Sequence, residues 1–135
     1  MEYVSIWSVI VASIVAFAVS ALWYSPILFG KEWMSLMKIG DKEISEARAK
    51  GMTWHYVGQF IATLITFIVM AFAVAAFDAN GRDGAMIGLI AWIGFILPVG
   101  VSAALWDRKP LKLVLINVVC TLVTLIIGGA IIGAW

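Results

Sequence analysis

The chain has 135 residues, of which 64% are hydrophobic and 13% charged, with a formal net charge of +1 and a mean hydropathy of +1.06. A single core in water cannot bury so large an apolar fraction, so a soluble globular domain is excluded and a membrane protein is indicated. The small net charge gives no sign of a nucleic-acid partner.

Four apolar runs are long enough to cross a bilayer as helices, because a hydrocarbon layer of about 30 Å needs roughly 18 or more apolar residues. These runs are residues 3–28, 54–77, 84–106 and 111–135. Glu2 makes the start of the chain acidic, whereas a cleaved signal peptide begins with a basic region, so we expect a retained first span. The prediction is an all-α fold, an integral membrane four-helix bundle forming a single membrane domain over residues 1–135.

Basic residues are distributed unevenly between the loops. Five lie between spans one and two, three lie at the turn between spans three and four, and Arg82 alone lies in the remaining connection. Because positively charged loops stay in the cytoplasm, both termini are predicted to lie outside. Trp33, Leu36 and Met37 recur at helical spacing, so the cytoplasmic loop 31–53 is predicted to be amphipathic and to begin with an interfacial helix.

Two spans carry the same polar pattern, an amide followed by threonines four and seven residues later. The two sets are Gln59, Thr63 and Thr66 in span two, and Asn117, Thr121 and Thr124 in span four. This spacing places each set on one helix face. At about 1.5 Å per residue, both amides lie about two turns from the predicted cytoplasmic helix ends. Other polar residues toward that side are Ser102, His55, Asp107 and the Tyr24-Ser25-Pro26 segment.

These polar stripes have two interpretations, since unpaired polar groups are costly in hydrocarbon. In the first, the amides bond each other or another subunit and the threonines bond back to their own helix, so the stripes hold helices together. In the second, the stripes line a site or passage that opens toward the cytoplasm. Both interpretations remain open at the level of the sequence.

Short segments of the first half recur in the second half. Residues 19–23 read VSALW and residues 101–106 read VSAALW, and the amide and threonine pattern is also repeated. We therefore predict two pseudo-symmetric helical hairpins related by an axis along the membrane normal.

Small residues and tryptophans indicate how the spans pack. Small residues recur at intervals of four, which allows close helix contact within or between subunits. These residues are Ala12, Ala16 and Ser20, Ala71 and Ala75, Gly84 and Gly88, and Gly129 and Gly133. Trp23, Trp54 and Trp106 are predicted to form part of an aromatic belt, whereas Trp92 lies inside span three and should use its indole N–H at a helix contact. Pro98 removes the amide that would bond the carbonyl of Gly94, so span three is predicted to bend near its middle, either as a plain kink or as a gating hinge.

No catalytic constellation is found in the sequence. His55 and Cys120 are the only histidine and cysteine, so no multi-histidine metal site and no internal disulfide is expected. An acid–base pair formed by His55 and Asp107 is the weaker alternative, since such a pair needs hydrogen-bond geometry that a sequence does not show. The prediction is a protein that is not an enzyme and has no metal and no cofactor.

Several motifs resemble one known family. They are Trp23-Tyr24-Ser25-Pro26 with Gly30, then Trp92-Ile93-Gly94-Phe95, then Lys109-Pro110-Leu111-Lys112 with Asn117, and the closing Gly133-Ala134-Trp135. Together they resemble the domain-of-unknown-function 1761 family of small four-span bacterial membrane proteins. The resemblance implies a multi-pass protein of the bacterial inner membrane, and it implies no established activity, cofactor or catalytic residue.

The resulting expectation is a small oligomeric inner-membrane protein in contact with the lipid bilayer. Four spans enclose little more than their own side chains, so a passage forms more easily between subunits and a homo-oligomer is expected. The best hypothesis is a transporter or channel-like assembly for a small solute or ion. The alternative is a non-catalytic accessory or scaffolding subunit whose polar residues join helices.

Overall fold

The computed structural model describes residues 5–25, 27–38 and 40–135, and this part of the chain is helical apart from short connections. The helices in chain order are α1 (Ile6–Trp23), α2 (Gly30–Leu36), α3 (Asp41–Lys50), α4 (Thr53–Ala76), α5 (Gly81–Ala91), α6 (Leu97–Trp106) and α7 (Leu111–Ala134), and a π-helical segment (Trp92–Ile96) joins α5 to α6. The predicted all-α fold class is confirmed.

Four helices are long and apolar enough to cross a membrane: α1, α4, the continuous helix Gly81–Trp106, and α7. Large apolar side chains on their outer faces have no protein neighbours to cover them, and Val69 and Phe95 are 63% and 75% exposed. An apolar outer surface of this kind is the one that lipid covers. The chain is therefore a multi-pass helical membrane protein, as the composition predicted.

Helix α7 is central and packs against α1, α4 and α5. Its contact with α5 is the closest, because a Cβ atom on Gly84 would overlap the carbonyl of Gly129 and one on Gly88 would overlap the carbonyl of Leu125. Small residues permit this backbone approach. The sequence left open whether these glycines act within or between subunits, and the structure places them against each other in one chain.

Two tryptophans fasten neighbouring helices to α7. The indole N–H of Trp92 donates to the carbonyl oxygen of Val118 at 2.7 Å, which confirms the prediction of a helix contact. Trp23 donates to the carbonyl oxygen of Ile116 at 3.0 Å. The belt interpretation of Trp23 is therefore incomplete, since its N–H is satisfied inside the bundle, whereas Trp106 is 83% exposed.

Span three contains a π-helical turn just before Pro98, and the predicted bend stays a prediction. Pro98 lies in the first turn of α6 and has no amide hydrogen to continue the α-helical ladder. The preceding turn is π-helical, and the Leu97 N–H bonds the carbonyl of Trp92, five residues earlier. The helix remains continuous because the wider π-helical turn accommodates Pro98, which has no amide hydrogen to donate.

Span one is shorter than predicted, since α1 ends at Trp23 and the apolar run continues to residue 28. The Ser25 hydroxyl donates to the carbonyl of Leu22 at 2.6 Å, and the amide of Phe29 returns to the carbonyl of Trp23 at 3.0 Å. The chain therefore reverses within a few residues. Gly30 is the first residue of α2 and lies against the backbone of this tight turn.

Helices α2 and α3 occupy the long polar loop. An ion pair between Lys112 Nζ and Glu32 Oε2, at 3.2 Å, joins α2 to the start of α7. Helix α3 ends at Lys50, and the next residue, Gly51, has a φ of +84°, a left-handed conformation that favours glycine. We call the end of the bundle that carries this loop and the α6–α7 turn the basic end, because eight of the chain's basic residues lie there.

The apolar core lies toward the end of the bundle opposite the basic end. Val9 and Ala12 of α1 meet Phe67 and Ala71 of α4 and Leu125 of α7, and all five are at most 5% exposed. The first half of α4, by contrast, is mostly exposed. Helix α4 is therefore packed mainly in its second half.

The two predicted hairpins have different surroundings. Ser20 lies against Cys120 at 3.7 Å, while its counterpart Ser102 is exposed. Trp23 is bound to α7, while Trp106 points away from the bundle. The internal repeat stays a prediction from the sequence.

Candidate functional site

A cleft of about 750 Å³ lies between α1, α4 and α7. It extends from the basic end to the middle of the bundle. Its lining residues are Ala16, Phe17, Ser20, Ala21, Tyr24 and Ser25 from α1 and the turn after it, Tyr56, Gln59, Ala62, Thr63, Thr66 and Phe67 from α4, and Asn117, Cys120, Thr121, Thr124 and Leu125 from α7.

The cleft exists because the first half of α4 is packed less closely than the second half and touches α1 through aromatic contacts of Phe17. Phe67 and Leu125 form its floor and are 2% and 5% exposed. The Phe67 ring sits on Gly128, where an added Cβ atom would overlap it. Beyond this level the apolar core fills the space between the helices. The cleft is therefore open toward the basic end and closed toward the opposite end.

Both polar stripes face the cleft. Gln59, Thr63 and Thr66 form part of its α4 wall. Asn117, Thr121 and Thr124 form part of its α7 wall. Among the residues that the structure describes, no hydrogen bond joins the two stripes to each other. A direct bond between Gln59 and Asn117, one of the two arrangements that the first interpretation allowed, is therefore not formed within this chain, and a bond of either amide to another subunit stays a prediction.

The hydroxyl groups of the stripes donate to their own helices, as the same interpretation expected. Thr63 donates to the carbonyl of Gln59 at 2.8 Å, and Thr66 donates to the carbonyl of Ala62 at 3.0 Å. On α7, Thr121 and Thr124 make the equivalent bonds to the carbonyls of Asn117 and Thr121, at 3.2 and 2.9 Å. These bonds use the hydroxyl protons, so each of these oxygens can take part in a further hydrogen bond only as an acceptor.

Tyr24 connects the cleft mouth to the α7 wall. Its hydroxyl donates to Oδ1 of Asn117 at 2.8 Å, and its ring packs edge-on against Trp33 of α2 with centroids 5.8 Å apart. Burial raises the pKa of Tyr24 to about 12, so the phenol remains a hydrogen-bond donor at neutral pH. Tyr24 thereby fixes the orientation of the Asn117 amide.

The segment that carries the family resemblance builds this corner. Trp23 is fixed to α7, and Ser25 bonds back to α1. Gly30 lies so close to the carbonyls of Tyr24 and Ser25 that a Cβ atom would overlap them. Pro26 lies outside the described residues. The motif therefore acts by positioning Tyr24 and Ser25 at the cleft mouth.

Four other sequence-predicted residues do not reach the cleft. His55, Ser102, Asp107 and Pro110 are all exposed, and none of them lines it. Ser102 and Asp107 belong to the end of α6 and the residue after it, and α6 packs against α7, while His55 lies in the exposed first turn of α4. In the part of the chain described, no hydrogen bond or ion pair joins His55 to Asp107. Pro110 instead precedes the first residue of α7 as its N-cap.

Several lining residues were not selected from the sequence as site residues. Ser20 and Ala16 belong to the small-residue stripe that predicted packing, and Ser20 continues that face into the cleft. Phe17 and Tyr56 stand edge to face with centroids 6.2 Å apart. Their positions depend on which helices are neighbours, and an apolar periodicity does not specify this.

The electrostatic character of the cleft is polar and uncharged. Its lining, as far as the structure describes it, contains hydroxyl, amide, thiol and aromatic groups and no Asp, Glu, Lys, Arg or His. Over the described residues there is also no group of three or more His, Cys, Asp or Glu placed to hold a metal ion. What the lining offers is hydrogen bonding together with aromatic and aliphatic contact.

The fold and this cleft define a four-span helical membrane protein with a polar pocket in one half of its bundle. Residues 7–133 match the family described as "Protein of unknown function (DUF1761)", so the match covers nearly the whole chain. The chain belongs to that family, which confirms the resemblance drawn from its motifs. No curated protein and no solved structure matches the chain.

Proposed function

We propose that this protein is a small transporter or channel-like membrane protein and that the cleft is its solute-binding site. The observation that carries the proposal is the meeting of both polar stripes in one cavity of about 750 Å³. Ligand pockets of small molecules have volumes in this range and combine apolar walls with a few placed polar groups. Helix packing alone does not require the two polar faces to stand apart around an open space.

Because the floor of the cleft is closed, a solute bound in the cleft is accessible from one side of the membrane at a time. Phe67 on Gly128 and the core beyond it separate the cleft from the opposite end. By the distribution of basic residues, we assign the open side to the cytoplasm and both termini to the outside of a bacterial inner membrane. Transport through one chain then requires the second half of α4 to move away from α7. Assembly as a homo-oligomer would place further helices beside the exposed half of α4.

Solute uptake into proteoliposomes tests this function. The purified protein is reconstituted, and uptake of radiolabelled glycerol, acetamide and methylammonium is compared with that of protein-free vesicles. We expect uptake of at least one solute to exceed the protein-free rate and to be lost on Gln59→Leu and on Asn117→Leu. Ser102→Leu is the matched control, because it adds the same apolar side chain at an exposed polar position outside the cleft. Equal uptake by all three variants and the wild type would contradict the proposal.

A non-catalytic accessory or scaffolding role is the second candidate. It is supported by the exposure of Gln59 and Thr66 together with Tyr56 and Ile65, which are 56% and 57% exposed. A partner helix seated on this half of α4 would cover polar and apolar groups together. Co-purification of a stoichiometric second protein, lost on Gln59→Leu, would favour this role. Native mass spectrometry from nanodiscs would show such a partner and the number of copies of the chain.

A further inference from the structure

We propose that the cleft recognises solutes through their hydrogen-bond donors and discriminates against anions. This inference rests on the proposed binding function of the cleft and names the chemical class of its ligand. The class is a small solute that presents N–H or O–H groups and carries no negative charge. The inference follows from the direction of the hydrogen bonds around the cleft, taken one group at a time.

Six of the eight hydroxyl protons in the described lining are already used inside the protein. Four threonines donate to backbone carbonyls of their own helices, Ser25 donates to the carbonyl of Leu22, and Tyr24 donates to Asn117 Oδ1. A carbonyl or amide oxygen has no proton to give, so the hydroxyl is the donor in each bond. A hydroxyl that has given its single proton can only accept from a further partner.

Few donors remain for a ligand. The Gln59 amide donates one N–H to the hydroxyl oxygen of Thr63 at 3.4 Å. The Asn117 amide oxygen accepts from the Tyr24 hydroxyl. The Ser20 hydroxyl and the Cys120 thiol face each other at 3.7 Å. The donors that remain are the free amide hydrogens of Gln59 and Asn117 and the Tyr56 hydroxyl. They are fewer than the oxygen lone pairs of the lining that can accept a hydrogen bond. The described lining also contains no cationic side chain to bind an anion.

A solute that enters the cleft displaces water from these acceptor oxygens, so it must replace the hydrogen bonds that the water gave them. An ammonium, amidinium or amide group does this with its N–H atoms. The ring faces of Phe17 and Tyr56 at the cleft also attract positive charge and do not attract negative charge. A carboxylate or phosphate would place its lone pairs against lone pairs. The lining thus favours donor-rich neutral or singly positive solutes.

Three planar solutes of one skeleton test the inference. Acetamidinium has donors only, acetamide has donors and an acceptor, and acetate has acceptors and a negative charge. Binding is measured as protection of a single cysteine from methyl methanethiosulfonate in the full-length protein in nanodiscs. The reporter is Ala62→Cys in a Cys120→Ala background, since Ala62 is exposed, lines the cleft and belongs to neither stripe. Lys109→Cys in the same background is the control for direct effects on the reagent.

We expect acetamidinium and acetamide to slow modification of the Ala62→Cys reporter at concentrations where acetate has no effect. Protection by acetate that equals or exceeds that by acetamide would overturn the inference and leave the cleft as a binding site for another class. An absence of protection by all three solutes would also overturn it. Protection without uptake by the reconstituted wild type would instead count against the transport role alone.

Two substitutions show whether the lining sets this preference. Thr63→Val keeps the shape of the side chain and removes one acceptor, so protection by acetamidinium should weaken by about fivefold, the worth of one hydrogen bond. Thr53→Val, outside the cleft, should leave it unchanged. Gln59→Lys adds a cation at an exposed position and should shift the preference toward acetate. An unchanged order of the three solutes in Gln59→Lys would overturn the inference.

Discussion

At the scale of single residues, the described part of the protein leaves no buried side-chain nitrogen or oxygen without a hydrogen bond. Indole groups of Trp23 and Trp92 reach backbone carbonyls of α7, and Tyr24 reaches Asn117. In a membrane such bonds have no competing water, yet each is worth only on the order of 1 kcal/mol, because the unfolded chain in the membrane also finds partners. Their sum fixes how α1 and α5 sit on α7.

Tyr24→Phe tests the bond at the cleft mouth. The change removes the donor to Asn117 Oδ1 and keeps the ring against Trp33, so we expect a loss of about 1 kcal/mol in the free energy of unfolding. Unfolding in mixed micelles followed by circular dichroism measures it. Tyr56→Phe is the control, because Tyr56 is 56% exposed and its ring is also kept. Equal stability of Tyr24→Phe and wild type would contradict the role given to this bond.

At the scale of helices, α5 and α7 form the closest pair, whereas the first half of α4 is mostly exposed. The glycines of the first pair bring backbones into contact, while α4 is held by its second half through Phe67 and Ala71. Interhelical packing in lipid depends on such van der Waals contact, since lipid is as apolar as the side chains. Any conformational change is therefore expected in α4 and not between α5 and α7.

Gly129→Ala tests the close contact. The added Cβ atom would overlap the carbonyl of Gly84, so the helices must separate and the free energy of unfolding should fall by about 1–3 kcal/mol. Gly58→Ala is the matched control in an open stretch of α4, where an added Cβ atom meets nothing within 4 Å. It should leave stability unchanged or raise it slightly through helix propensity. A stable Gly129→Ala variant with an unchanged melting profile would show that the contact is looser than described.

The sequence predicted the elements better than their neighbours. Composition and run length gave the membrane class and the four apolar helices, and periodicity grouped Thr63 with Thr66 and Thr121 with Thr124 on helix faces. It did not show that α6 lies on the far side of α7, which separates Ser102 from the stripes. That arrangement depends on glycine contacts whose partners a four-residue spacing does not identify. Likewise, an apolar run does not reveal the turn at Ser25 that ends α1 early.

At the scale of the whole molecule, the bundle has a packed end and an open end. The core fills the end away from the long loop, and the polar cleft occupies the end that carries the basic residues. A charge distribution of this kind sets orientation during insertion, because basic loops resist translocation. The proposed function therefore includes a direction, with the cleft facing the cytoplasm.

Reporter fusions test the orientation. We expect alkaline phosphatase fused after Trp135 to be active and green fluorescent protein fused there to be dark, because the C-terminus is predicted to lie outside. A second pair of reporter fusions at Arg82 checks this result and should give the same outcome, since the α4–α5 turn lies at the same end of the bundle as the C-terminus. A fluorescent, phosphatase-negative C-terminus would reverse the assignment and place the cleft mouth outside.

The central claim is that the polar stripes face a water-filled cleft and not lipid, and cysteine accessibility along α4 tests it most directly. In a Cys120→Ala background, Ala62→Cys lies on the cleft wall, and Ile61→Cys lies on the outer face, where Ile61 is 51% exposed. A membrane-impermeant, positively charged methanethiosulfonate is applied from the cytoplasmic side of oriented vesicles. The account predicts rapid modification of Ala62→Cys and none of Ile61→Cys. Equal reactivity at both positions, or an unreactive Ala62→Cys, would contradict it.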